Sequence, residues 1–237
     1  MIHQTLKRVP VFDNPAYPVN EVARILKLPV TTVKAWCFGQ SYYSASGSKK
    51  LYKSVIRPAD AHRRLLSFAN LCEIHVLSVI RRHHKIALFR VRDSMDYLRK
   101  QLLVDHPLID RQFHTNGIDL FVEHASQLLN VSREGQEAMR GDFEQALARI
   151  ERDSRGAPVR LFPFSRTALS SVEQPRSIVI DPRLSFGRPV LALAAVPTEV
   201  IVDRFCAGDS PAEMAKDYGV DKKDIEEALR FEQRLAA

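Results

Sequence analysis

The sequence has little of what secreted and membrane proteins depend on. Only three of its 237 residues are cysteines, Cys37, Cys72 and Cys206. This odd and scattered set argues against a disulfide framework and is typical of a reducing cytoplasm. No apolar run approaches the roughly 18 residues of a membrane helix, and the first 15 residues lack the apolar core of a signal peptide. We therefore expect a cytoplasmic protein without a membrane segment.

Motifs that hold cofactors or build common active sites are also missing. The sequence contains no GxGxxG, Walker A, GxSxG or HExxH pattern, and no Cys or His spacing matches a zinc site. Residues 46–49 match the serine–lysine spacing of penicillin-binding enzymes, but the companion motifs are absent. We expect no metal, no cofactor and no enzymatic activity.

Charge is distributed unevenly along the chain. Residues 1–100 contain 18 Lys and Arg against 6 Asp and Glu, whereas residues 101–237 contain 17 against 22. The formal net charge of +7 is therefore the balance of a front at +12 and a rear at −5. A basic front favours a polyanionic partner there, although a merely soluble basic surface explains the charge alone equally well.

The front of the chain has the pattern of two short helices followed by two short strands. Apolar residues follow helical spacing over 19–26, and Pro29 cannot continue that helix. A second short helix is expected over 30–37, and residues 39–52 have the composition of two strands around a tip of small and basic residues. This order predicts a winged helix-turn-helix.

The polar face of the second helix suits the major groove of duplex DNA. A helix about 10–12 Å across fits that groove, and its outer face must carry hydrogen-bond donors of little bulk. A tip rich in serine, glycine and lysine would approach the phosphates and position the protein. The predicted DNA-binding residues are Thr31, Thr32, Lys34, Ser46, Ser48, Lys49 and Lys50. The alternative is a helical pair within a core, followed by a solvated basic loop.

The segment from Tyr17 to Trp36 resembles the winged helix-turn-helix of MerR-like regulators. The resemblance is carried by Val22-Ala23, by the tight turn, and by residues 32–36 (Thr-Val-Lys-Ala-Trp) at the position of the family's recognition helix. It implies double-stranded operator DNA as a partner. Because one winged helix covers only a half-site, it also implies a homodimer on a palindromic or repeated operator.

Two longer helices, a helical hairpin, are predicted over 60–104. In the second of them, apolar residues from Leu88 to Leu102 are spaced 3, 4, 3 and 4 apart, which makes two heptads. Two heptads are too few to distinguish a dimer contact from ordinary core packing, so both interpretations stay open.

The middle of the chain changes its pattern. Asn116-Gly117 between two apolar runs predicts a β-hairpin over 109–122, because this dipeptide supplies the backbone angles of a type I′ turn. A helix is expected over 136–150, and residues 165–176 have the composition of a linker.

The last 60 residues form a separate small unit. A short strand is predicted at 178–180. Three helices are predicted: one over 198–205, one that begins after a capping box at Ser210, and one that begins after Asp221. The stretch from Ser177 to Val190 resembles the opening of a small helical domain that is common in bacterial antitoxins and was long catalogued as a domain of unknown function.

Helix-turn-helix spacing also occurs in this rear unit, between residues 211–218 and 221–234. Carboxylates at the start of the second helix would repel phosphates, so we expect a protein partner there rather than DNA.

The order of these modules resembles Vap-type (VapB-like) antitoxins, whose toxins are PIN-like ribonucleases. The resemblance implies an antitoxin that represses its own promoter and neutralises a cognate toxin. Arg183 and Arg188 are candidate toxin-binding residues, because a guanidinium pairs with the carboxylates of a metal-binding pocket. The alternative for Arg188 is a structural or helix-capping role.

The sequence leaves two further functions open. A MerR-type regulator would bind a small molecule or metal in its middle and rear units. An RNA-binding or scaffolding protein is less favoured, because the sequence lacks aromatic stacking platforms for single-stranded RNA.

The expected fold is mainly α with a small β component. The predicted units are a winged helix-turn-helix with a helical hairpin at 1–104, a β-hairpin and helix at 105–164, the linker at 165–176, and a three-helix domain with helix-turn-helix-like spacing at 177–237.

Overall fold

A computed structural model of the protein describes residues 10–43, 47–84, 88–110, 112–129, 132–165 and 175–233. Over these residues the chain is mainly helical with a small β component, as the sequence predicts. The helices are α1 (Val19–Leu26), α2 (Val30–Phe38), α3 (Phe68–His84), α4 (Leu88–Leu102), α5 (Ile118–Leu129), α6 (Arg133–Leu147), α7 (Thr198–Cys206), α8 (Pro211–Tyr218) and α9 (Lys222–Gln233). The strands are β1 (Tyr17–Pro18), β2 (Gln40–Tyr43), β3 (Lys49–Tyr52), β4 (Leu65–Leu66), β5 (Ile150–Arg152), β6 (Pro158–Leu161), β7 (Ile178–Val179) and β8 (Val190–Leu191).

The described strands form four antiparallel pairs of two. β1 pairs with β4, β2 with β3, β5 with β6, and β7 with β8. The β1–β4 pair joins the start of the helix-turn-helix to the residues that lead into α3. Isolated two-stranded ribbons have little stability of their own, so each pair depends on the helices against which it packs.

One apolar core joins the front and the middle of the chain. α3 packs on α6, and α4 packs on α5. Val91, Met95 and Leu98 of the predicted heptad seam are fully buried in this core. The seam is therefore core packing within one chain, and these side chains are not available for a dimer contact. The first predicted unit ends at position 104, and residues before and after that position both contribute to the core. The boundaries of the units remain predictions.

The prediction of a β-hairpin over 109–122 is wrong. Pro107–Ile109 forms a 3₁₀ turn, and Phe113–Gly117 forms one π-helical turn that continues directly into α5. Phe113 and Phe121 both pack edge-on against Phe143 of α6, with ring centroids 5.2 and 5.1 Å apart. Burial of these rings on one helical face overrides the turn preference of Asn116-Gly117.

Gly117 serves the helix rather than a turn. A Cβ at this position would lie 2.8 Å from the ring of Phe113, so glycine allows that ring to fold close against the backbone. The hairpin of the middle region is formed instead by β5 and β6. The carboxylate of Asp153 accepts hydrogen bonds from the amides of Arg155 and Ala157 in its turn, each at 2.9 Å.

The rear unit has its own core. β7, β8 and helices α7–α9 surround a cluster that includes Ile201, Met214, Ile225 and Phe231, all fully buried. The predicted capping box at Ser210 is confirmed, and α8 ends at Gly219, whose backbone is left-handed. Of the predicted linker, residues 166–174 lie outside the described residues. None of the described helices combines the length and apolarity needed to cross a membrane.

Candidate nucleic-acid interface

The turn between α1 and α2 is built by a left-handed residue and a proline. Lys27 ends α1 with φ 52°, and the amide of Leu28 donates to the carbonyl of Ala23 at 2.9 Å. This is the hydrogen-bond pattern of a tight helix end, here with lysine where glycine is more usual. Pro29 precedes the first residue of α2, where its missing N–H costs nothing.

The second helix is sharply divided between a buried and an outer face. Val33, Trp36 and Cys37 are buried in the main core, and burial raises the pKa of the Cys37 thiol well above its usual range. Thr31 and Lys34 are exposed, whereas Thr32 is half-buried at the edge. The outer face therefore presents a hydroxyl and an ammonium group without bulky apolar side chains between them.

The wing follows α2 after a glycine that no other residue could replace without strain. Gly39 has φ 77°, and a Cβ there would lie 2.2 Å from the carbonyl oxygen of Tyr52. β2 and β3 pair from Gln40–Tyr52 to Tyr43–Lys49. The predicted strand pair is confirmed, and it projects from the C-terminal end of α2.

The predicted tip residues are only partly described. Ser48 is exposed. Lys49 and Lys50 begin β3, but their side chains lie outside what is described, and Ser46 lies outside the described residues.

Two arginines of α4 hold the base of the wing, and no motif in the sequence points to them. Arg92 donates from Nε to the carbonyl of Lys53 at 2.7 Å and lies over the ring of Tyr52. Arg99 donates to the carbonyl of Val55. Both contacts are to backbone atoms about 40 residues away, so no local pattern could have revealed them.

The chain returning from the wing is anchored on α2 itself. The amides of Val55 and Ile56 donate to the carbonyl of Trp36 at 2.7 and 3.0 Å. These bonds satisfy an end of α2 that would otherwise lack partners. The position of the wing relative to α2 is therefore fixed by backbone hydrogen bonds.

A buried asparagine organises the loop between the wing and α3. The Asn70 side-chain oxygen accepts from the amides of Ala59 and Ser67 at 2.9 and 3.1 Å, and its NH₂ group donates to the carbonyl of Arg57 at 2.8 Å. Ser67 in turn accepts from the Asn70 amide, which makes a reciprocal cap at the start of α3. Asn70 therefore positions residues 57–67 as a unit.

That loop adds positive charge beside α2. The side chain of Arg64 lies 4.8 Å from the ring centre of Phe38, the last residue of α2. Arg57 pairs weakly with Asp105 at 3.4 Å, and both groups are exposed. Exposed basic residues occur on α2 and in the segment between the wing and α3. Together they are called the basic surface: Lys34, Lys53, Arg57, Arg63 and Arg64. The sequence signal for its last part was the run Arg-Pro-Ala-Asp-Ala-His-Arg-Arg at 57–64.

The two arginines predicted to bind a toxin have different surroundings. Arg183 donates from Nε and Nη2 to both oxygens of the buried Asp181, at 2.9 and 2.7 Å, and this hydrogen bonding holds the pKa of Asp181 below its usual value despite burial. Arg188 pairs with Glu199 at 2.5 Å, and both side chains are about half exposed. Arg188 can exchange its partner at little cost, whereas releasing Arg183 would weaken a buried carboxylate's contacts.

The helix-turn-helix contacts the rear unit directly. Arg24 of α1 donates to Glu232 of α9 at 2.9 Å, and the other oxygen of Glu232 accepts from Thr198 at 2.5 Å. The ammonium of Lys27 lies 4.7 Å from the ring centre of Phe231. The first helix of the front unit and the last helix of the rear unit therefore form one contact.

Comparison with known protein families gives a match in the rear unit. Residues 178–231 match the model of a family described as a protein of unknown function, DUF433. This is the segment in which the sequence resembles the small antitoxin-type domain.

Similarity also extends over nearly the whole chain. A Mycobacterium tuberculosis protein named "Putative antitoxin VapB45" is 26% identical over 92% of this chain and 94% of its own length. The protein named "Uncharacterized protein Rv2308", from the same organism, is 23% identical over 94% and 92%. The crystal structure of Rv2018, also from M. tuberculosis, superimposes with a TM-score of 0.66 at 24% identity over 92% of this chain and 99% of that one. This chain therefore has the fold of Rv2018.

Proposed function

We propose that this chain is the DNA-binding antitoxin of a type II toxin–antitoxin pair. In this proposal α2 and the wing bind operator DNA and repress transcription of the chain's own operon, and the rear unit binds and neutralises a PIN-like ribonuclease. The protein acts as a homodimer in the cytoplasm and needs no cofactor. The proposal treats it as a regulator rather than an enzyme.

The observation that carries the DNA-binding part is the outer face of α2. Thr31 and Lys34 are exposed on a helix whose opposite face is buried, and the wing and the basic surface flank it. A helix of this kind fits the major groove, where a lysine contacts guanine acceptors or phosphates. The basic surface and the predicted tip residues would contact the backbone and set the orientation of the protein.

The toxin-binding part is supported by the relative named as an antitoxin and by the charge of the rear unit. Residues 177–237 contain 8 Lys and Arg against 11 Asp and Glu, which disfavours a phosphate backbone as partner. Arg188, which is exposed and only superficially paired, is the better of the two arginines for a carboxylate-lined pocket.

Binding to the DNA upstream of the chain's own gene tests the first part. Electrophoretic mobility shifts at several salt concentrations should show a complex, and a fragment with two half-sites should bind more tightly than one with a single half-site. Replacing Lys34 by Ala should weaken binding by about 1–3 kcal/mol at one base position if the lysine contacts guanine. If it contacts phosphate, the loss is uniform across sequences and the salt slope falls by about 1. No shift at low salt would refute the proposal.

Co-expression with the product of the adjacent gene tests the second part. We expect a small acidic nuclease that co-purifies with the full chain and whose RNA cleavage stops when the chain is added. Failure to co-purify would favour the second candidate function.

That second candidate is a MerR-type sensor of a small molecule. A groove of about 490 Å³ lies where the residues after Pro10 meet the β5–β6 turn and the loop after β7, and it is lined by Phe12, Val159, Pro182 and Arg183 among others. This volume falls within the range of small-molecule sites. An adjacent transporter or resistance gene, in place of a nuclease gene, would favour it.

A further inference from the structure

Phe186 is the most exposed large apolar side chain among the described residues, at 94%. It lies in the loop between β7 and β8, and its backbone is left-handed at φ 57° and ψ 30°. Ser185 before it and Gly187 after it also have positive φ, 45° and 79°. Side-chain-bearing residues rarely adopt this conformation, and here the ring gains no packing in return.

The loop is held in this conformation by contacts that do not involve the Phe186 ring. The Gly187 amide donates to the carbonyl of Leu184 at 2.8 Å, and the Leu184 amide donates to that of Asp181 at 2.9 Å. Gly187 is buried, and a Cβ there would lie 2.0 Å from the hydroxyl of Tyr17. A strained backbone that its surroundings keep in place is a reason to look for a binding role at that residue.

Positive charge flanks the ring on both sides in the sequence. Arg183 and Arg188 have 58% and 53% of their side-chain surface exposed, and each already pairs with a carboxylate of this chain. Aromatic residues and arginine are enriched in protein interfaces, and a few such residues carry most of the binding energy. Duplex DNA offers no hollow for such a ring without unstacking of bases, so a protein is the better occupant.

We propose that Phe186 is the aromatic anchor of the toxin-binding surface. Its ring enters an apolar hollow on the nuclease, and the exposed Arg188 pairs with an acidic rim around that hollow. The inference rests on the proposed function, which supplies the partner, and it adds the residue on which the affinity chiefly depends.

The substitution Phe186→Asn separates binding from folding. Asparagine tolerates the left-handed conformation, so the thermal midpoint Tm should stay the same or rise. The affinity of the full chain for the purified nuclease from the adjacent gene should fall at least about 30-fold, the loss expected for an interface hot spot. Calorimetric titration and inhibition of RNA cleavage both measure it.

Leu193→Asn is the matched control. Leu193 is 81% exposed and follows β8 at its far end, so its replacement should change the affinity less than about threefold. Equal affinity of Phe186→Asn and the wild type would overturn the inference and leave the proposed function standing, and a marked fall in Tm for Phe186→Asn would also overturn it. A wild-type chain that neither binds nor inhibits the nuclease would overturn the proposed function, and this inference with it.

Discussion

Two segments of this chain fold with the same helix-turn-helix spacing. α1 and α8 both have eight residues, and each is followed by a left-handed residue, Lys27 with φ 52° in the front and Gly219 with φ 64° in the rear. In both turns the next amide donates to an alanine carbonyl, at 2.9 Å to Ala23 and 3.0 Å to Ala215. In both segments three residues separate the end of the first helix from the start of the second.

The outer faces of the second helices differ in charge at one matched position. The fifth residue of α2 is Lys34 and the fifth of α9 is Glu226, and both are exposed. Glu226 pairs with Lys222 at 3.2 Å within its own helix. The same backbone geometry therefore presents a cation in the front and a carboxylate in the rear. The spacing alone does not specify a DNA-binding site, and the charge at this position distinguishes the two segments.

Exchanging the matched residues tests this contrast most severely. Lys34→Glu should weaken operator binding about 100-fold or more, because a carboxylate facing phosphates costs several kcal/mol. Glu226→Lys should leave operator binding within about twofold, since α9 is proposed to lie away from the DNA. Mobility shifts on the upstream DNA measure both. Equal losses from the two variants would show that the rear segment also contacts DNA.

The front and the rear also differ in how many backbone groups a single polar side chain holds in place. Asn70→Ala should lower the free energy of unfolding by about 2–3 kcal/mol, because buried backbone groups of residues 57–67 lose their partners. It should also weaken DNA binding, since the basic surface is no longer held beside α2. Ser210→Ala in the rear removes only a local helix cap and should cost about 1 kcal/mol. Urea unfolding compares the two variants, and equal costs would contradict the distinction.

A titratable contact makes the front of the chain sensitive to pH. His106 lies between Asp13 and Glu73, with ring nitrogens 3.1 and 2.9 Å from their carboxylate oxygens. Burial alone would lower the pKa of His106, but hydrogen bonds and attraction to these two carboxylates raise it to about 10. Because the folded-state pKa exceeds the unfolded value of about 6.5, this stabilisation is complete below pH 6.5 and is lost as the pH rises towards 10.

The substitution His106→Gln should therefore have a pH-dependent cost. We expect about 2 kcal/mol at pH 6 and little near pH 10, measured by urea unfolding at both values. A cost that is the same at both would show that the imidazole acts through packing rather than charge.

The smallest expected effect separates the two arginines of the rear unit. Arg188→Ala should change the free energy of unfolding by less than about 0.5 kcal/mol, because its pair with Glu199 is exposed. Arg183→Ala should cost about 1–2 kcal/mol, since Asp181 is buried and loses a charged donor, although Arg160 remains 3.3 Å away. A larger cost for Arg188 would assign it the structural role instead.

Local sequence patterns were enough to predict much of the secondary structure of the front and the rear. Apolar spacing placed α1 and α2, the capping box placed α8, and the outward face of α2 with Thr31 and Lys34 followed from helical periodicity. The same reasoning failed at Asn116-Gly117, because the turn preference of a dipeptide is smaller than the free energy of burying Phe113 and Phe121. Asn70, Arg92 and Arg99 were missed because their partners lie far away in the sequence.

By itself, then, the sequence determined the helices of the front and rear units, the short strands of the wing and the separation of a basic front from an acidic rear. These follow from periodicity, capping and charge, which act over a few residues. Only the tertiary structure decided that Arg183 holds a buried carboxylate, that the heptad seam of α4 is internal, and that Phe186 is exposed in a strained loop. Each of these three features depends on which residues, distant in the sequence, are buried together or make close backbone contacts. The linear order of residues does not specify which distant residues meet.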